Sequence, residues 1–91
     1  MRFAVTLATA LAVAGCAAQT FKLPLLGPYR EPNDPCREVA PGPDTTPLMT
    51  PDTDLVACPD DPSVVQLFIF DVNAAKIRQV GDWVLLRVPR P

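Results

Sequence analysis

Apolar residues are distributed along this chain in four distinct ways. Phe3 to Ala14, FAVTLATALAVA, is an uncharged and mostly apolar run of twelve residues that follows Arg2 and leads into small residues. From Pro24 to Pro62 ten prolines break up every apolar group. Proline has no backbone donor and holds φ near −65°, which disfavours helix interiors and central strands. Residues 16–53 therefore read as an extended, semi-rigid tether with polyproline character. From Val64 to Val72, seven of nine positions are apolar. The last stretch, KIRQV-GD-WVLLRVP, alternates about a two-residue break.

These patterns predict a small α+β unit over residues 54–91. Asp61 is positioned as an N-cap with Pro62 at the first helical position, and Asn73 is suited to a left-handed stop. Those ends favour a helix of three turns over 64–72. The β-branched and aromatic content favours a strand, and a segment apolar nearly all round offers no period to choose between them. The caps tip the reading towards helix. Gly81-Asp82 is a two-residue hairpin turn with glycine where a type II′ turn requires it. That register pairs Val80 with Trp83 and Ile77 with Leu86. One face then carries Ile77, Gln79, Val84, Leu86 and Val88; the other carries Lys76, Arg78, Val80, Trp83, Leu85 and Arg87. An isolated hairpin is marginal, so the 64–72 segment must cover the first face. Asp54 to Ala57, DLVA, is a plausible third strand.

Composition narrows the chemistry. Ninety-one residues allow one small domain, and the net charge of −2 gives no electrostatic footprint for nucleic acid. Histidine is absent and Ser63 is the single serine, which excludes Ser–His and Cys–His nucleophile pairs in this chain. No spacing gathers the aspartates and Lys76 into a catalytic set, so neither enzymatic activity nor a cofactor or small-molecule substrate is expected. Counted from Asp52, a calcium loop would need glycine sixth and glutamate twelfth; Ala57 and Ser63 stand there, and no metal site is expected. Pro32 and Pro35 have the spacing of a proline-rich ligand, but the pattern does not repeat.

Eight acids and one base, Arg37, lie between Glu31 and Asp61, whereas four bases and one acid, Asp82, lie between Lys76 and Arg90. A solvated acidic linker followed by a mildly basic surface accounts for this; the alternative is a basic docking face for an anionic envelope partner. Trp83 between Arg78 and Arg87 either shields the hairpin or forms an aromatic-basic contact patch, since Trp and Arg are enriched at binding hot spots. Cys36 and Cys58 are 22 positions apart. In an oxidising compartment they pair, closing a loop worth roughly 3 kcal/mol to a unit otherwise too small to stand unaided.

Residues 1–15 have the order of a secretory signal: a positive start, a short apolar run, then small residues. Twelve apolar residues are too few for a mature membrane span, which needs about 20. The closing VAGC, Val13, Ala14, Gly15 and Cys16, resembles the lipobox of bacterial lipoproteins. The resemblance implies cleavage before Cys16, a thioether-linked diacylglyceryl group on its sulfur and an amide-linked fatty acid such as palmitate. Two or three long chains anchor a protein durably where one does not. Alanine at position 17 implies, by the same resemblance, the periplasmic face of the outer membrane over the inner membrane. The tail from LVACP to VGDWVLLRVP is also similar to the C-terminal ends of small uncharacterised proteobacterial lipoproteins. The expected protein is thus a lipid-anchored envelope protein with a structural or interaction role, its partners the membrane and another envelope protein. The alternatives are a periplasmic ligand- or metal-binding module, or a secreted soluble protein if the lipobox is not used.

Overall fold

The computed structural model describes residues 20–91; the apolar segment and the Val13–Cys16 motif lie outside the described residues. A single antiparallel sheet organises the fold. In chain order the strands are β1 (Leu25–Pro28), β2 (Arg37–Val39), β3 (Thr53–Pro59), β4 (Ala75–Val80) and β5 (Trp83–Pro89), with one helix, α1 (Pro62–Val72), between β3 and β4. Across the sheet the order is β1-β2-β3-β5-β4. The α+β class, the hairpin and the strand around DLVA are as the sequence predicts, and DLVA lies in the central strand.

The 64–72 segment is helical, and its ends are set by the residues that predict it. The Asp61 carboxylate accepts from the Ser63 N–H at 3.0 Å, Pro62 occupies the first turn, and Asn73 closes the helix at φ 58°, ψ 40°. The hairpin turns on Gly81 at φ +58°, and Asp82 keeps a negative φ, as a type II′ turn requires. Val80 pairs with Trp83.

Two readings need correction. The expected Ile77–Leu86 pair does not form: the register shifts between Lys76 and Arg78, so Lys76 pairs with Leu86 and Arg78 with Leu85. This bulge sends Ile77 to the opposite face, against Leu85, and puts Lys76 on the face of Leu86. The second correction concerns the tether. Residues 25–53 are part of the fold: β1 pairs with β2, β2 pairs with β3, and Val39 and Thr45 are buried. The prolines punctuate the strands without excluding them. Pro28, Pro59 and Pro89 end β1, β3 and β5, and β2 lies free of proline between Pro35 and Pro41. Pro28 also belongs to an edge strand, where a missing donor costs no ladder bond.

The sheet is covered on both sides. On one side α1 packs Val65 and Phe68 over Val56, Val84, Leu86 and Val88. The Cys36–Cys58 disulfide lies in this same cluster and staples β2 to β3. On the other side Val39, Leu55, Ala57 and Leu85 are covered without any α-helix, by Phe21, Leu23, Leu25, Leu48 and Met49 from residues 21–49. The single-turn 3-10 helix Thr46–Leu48 belongs to that cover, and buried Thr45 holds it by donating its hydroxyl to the Ala40 carbonyl at 2.8 Å.

Candidate functional site

Cross-strand neighbours share a face of a sheet, so the register assigns each charged side chain to a side. Arg37 pairs with Ala57, Ala57 with Leu85, and Leu85 with Arg78, which makes one continuous row across four strands. Arg87 pairs with Leu55 on the same face, and Trp83 pairs with Val80. The aromatic-basic trio Trp83, Arg78 and Arg87 is therefore on one face, joined there by Arg37. Sequence reasoning missed Arg37, because its membership depends on a β2–β3 pairing between segments 20 residues apart, which no local pattern announces.

The trio is partly covered by the chain's own N-terminal segment. The Arg78 guanidinium stacks over the Phe21 ring, 4.8 Å from its centroid, and makes its aromatic contact there. Arg87 Nε donates to the Leu48 carbonyl at 3.0 Å, and Arg37 Nε donates to the Leu26 carbonyl at 2.8 Å. Trp83 is half-buried against the second cluster. Among the described residues no carboxylate forms an ion pair with Arg37, Arg78 or Arg87. Three positive charges on this face are thus left without a countercharge.

The helix side has the opposite character. Register places Glu38 and Asp54 there, opposite Val56 and Val88, and Asp61 and Asp71 lie at the ends of α1. Two of its cations are neutralised. Arg30 pairs with Asp34 at 2.7 Å and with Asp71 at 3.4 Å, its guanidinium 4.8 Å from the Phe68 centroid. Arg90 Nε pairs with Asp54 at 2.7 Å, and the Tyr29 hydroxyl donates to the same carboxylate at 2.7 Å.

These contacts set the titration of the helix side. The Arg90 guanidinium and then the Tyr29 hydroxyl hold the Asp54 carboxyl below its ordinary range. Burial alone would raise Asp34, but Arg30 and the N–H groups of Cys36 and Arg30 outweigh it and hold the carboxyl low. Burial, followed by the hydrogen bond to Asp54, pushes the Tyr29 phenol up to about 12. All three groups tie loops together: Asp34 closes the 30–36 turn, and Asp54 holds both Tyr29 and the C-terminal Arg90.

A cavity of about 200 Å³ opens between Glu38, Met49, Thr50, Asp54 and Arg90. Pockets that enclose a small organic ligand run from about 300 to 1,000 Å³. Among the described residues no group of three or more carboxylates, cysteines or histidines is placed to hold a metal ion. The outer surface of α1 exposes Leu67 at 62% and Phe70 at 85%, three residues apart on one helical stripe. No helix among the described residues is long and apolar enough to cross a membrane.

No family model, curated protein or solved structure matches this chain.

Proposed function

We propose that this chain is a lipid-anchored protein of the bacterial cell envelope, which holds a small rigid β-sheet platform against the membrane in a structural or interaction role. The observation that carries the reading is the partition of its three cysteines. Cys36 and Cys58 are joined across β2 and β3, which is the state of an exported, oxidised protein. The remaining cysteine, Cys16, directly follows the apolar run and the small pair Ala14-Gly15 that a lipoprotein signal peptidase requires. A thiol in that position is the nucleophile of lipid transfer, and its modification replaces a soluble terminus with acyl chains. An outer-membrane destination, on the strength of Ala17, belongs to the same reading.

The folded unit begins within a few residues of Cys16. Between Cys16 and Thr20, the first described residue, the chain can span at most about 14 Å. A fully extended tether over residues 16–53 would reach on the order of 120 Å. The platform is thus a short-leash domain, suited to contacts at the membrane surface rather than across the periplasm.

The experiment is fractionation of cells producing the wild type and Cys16→Ala. The wild type is expected in the detergent-extractable membrane fraction, and the substituted protein as an uncleaved precursor or a soluble form. Unchanged processing and unchanged membrane partitioning of Cys16→Ala would overturn the anchor.

A further inference from the structure

We infer that the arginine-bearing side of the sheet is the side that lies on the bilayer, against anionic lipid headgroups, with α1 and its exposed Leu67 and Phe70 turned away from the membrane. This rests on the lipid-anchor reading of Cys16 and adds to it a face and a lipid chemistry.

Chain geometry supplies the first reason. Phe21 and Leu23 both pack on the Leu55, Ala57 and Leu85 side, so the chain enters the fold on that side. Lys22, between them, is exposed. Its backbone N–H donates to the Asp44 carboxylate at 2.8 Å, which ties the entering segment to the loop that carries Thr45 and Leu48. The anchor at Cys16 is six residues before Lys22, a span of at most about 20 Å. The helix lies on the far side of the sheet from this entry, so the entry side is the one a leash of that length brings to the lipid without passing round the sheet.

Charge supplies the second reason. Arg37, Arg78 and Arg87 share the entry side with exposed Lys22, and none of the three arginines has an ion-pair partner among the described residues. Asp44 is the carboxylate beside Lys22, already accepting a backbone N–H. The opposite side carries Asp34, Glu38, Asp54, Asp61 and Asp71 against Arg30, Lys76 and Arg90, so it is net negative, and an anionic leaflet disfavours it. Cations attract anionic lipid only within about a Debye length of the surface, roughly 8–10 Å, and a leash of at most about 20 Å lets this face reach that range. The half-buried Trp83 lies on the same face, and indoles favour the headgroup level of a membrane.

The chain contains two lysines, Lys22 on the entry side and Lys76 on the helix side, so the wild-type protein reports its own orientation. Protein extracted from membranes is reconstituted on preformed vesicles containing phosphatidylglycerol, floated to isolate the bound fraction, and treated with a water-soluble amine-reactive ester. Labelling of each lysine is read by mass spectrometry against the same protein in solution as Cys16→Ala. Lys22 labelling is expected to fall several-fold on vesicles, and Lys76 labelling to stay at its solution rate. Vesicles of phosphatidylcholine alone, or Arg37→Gln with Arg78→Gln, are expected to restore most of the Lys22 labelling while flotation persists. Floated protein with equal labelling of the two lysines, or with Lys76 protected, overturns the orientation and leaves the anchor standing. Protection of Lys22 that ignores lipid charge and both arginines overturns the electrostatic basis. Failure to float overturns the anchor and the orientation together.

Discussion

The two sides of the sheet reach closure by different routes. The helix side is a conventional core: Phe68 is 1% exposed and Leu86 and Val56 are fully buried. A disulfide runs through it, and its flank is shut by the Arg30–Asp34–Asp71 and Tyr29–Asp54–Arg90 clusters. The entry side is covered by irregular chain, whose residues Phe21, Leu23, Leu48 and Met49 are each only partly buried; Arg37 and Arg87 donate to carbonyls in place of carboxylates, and Arg78 stacks on Phe21. One side concentrates stability. The other retains charge and a thin cover, as a contact surface requires.

The contrast can be broken in order of expected effect. Phe68→Ala removes the largest fully buried side chain on the helix side and is expected to cost about 3–5 kcal/mol, read by chemical denaturation. A loss of under about 1 kcal/mol would mean that the helix is not the main source of stability. The pH dependence of stability should also originate on the helix side. Asp34 and Asp54 have depressed carboxyls, so their contribution is complete above the unfolded carboxylate range, near pH 4, and is lost as pH falls through their lower folded values. Tyr29 has a raised phenol, so its contribution is complete below about pH 10 and is lost as pH rises to about 12. Thermal melts from pH 2 to 12 are expected to give a plateau between these limits, and Tyr29→Phe to remove the alkaline fall.

Smaller effects test the entry side. Phe21→Ala uncovers Leu85 and frees Arg78, and for a half-buried ring the expected cost is about 1–2 kcal/mol by the same denaturation measurement. A cost equal to that of Phe68→Ala would erase the distinction between the sides. Phe70→Ser, at 85% exposure, is expected to leave stability within about 0.5 kcal/mol.

What the sequence disclosed depended on range. Asp61, Pro62, Asn73 and Gly81 act on their own immediate backbone, so the caps of α1 and the hairpin turn were legible from spacing alone. Strands β1 and β2 were not. They are four and three residues long, flanked by proline, and stabilised by partners as distant as the Arg37–Ala57 and Leu25–Val39 pairs. A proline count registers the missing donors of a segment but not the strands fitted between them. The Cys36–Cys58 spacing, which predicted a bond, also carried the information that 36 must lie beside 58. Taken with the DLVA strand, that constraint pointed to a β2–β3 contact within the reputed tether. The bulge at Ile77 had no sequence signal, since KIRQV alternates equally well in either register. For the candidate site, Trp83, Arg78 and Arg87 were legible as a group because one hairpin displays them, whereas Arg37, Phe21 and Lys22 join them only through the long-range pairing.

The most direct measurement is the intact mass of the protein extracted from membranes. The account requires a chain beginning at Cys16, heavier by a diacylglyceryl group with or without a further acyl chain, and lighter by the two hydrogens lost between Cys36 and Cys58. A mass equal to the bare polypeptide, whether it begins at Met1 or at a residue after Cys16, would contradict it.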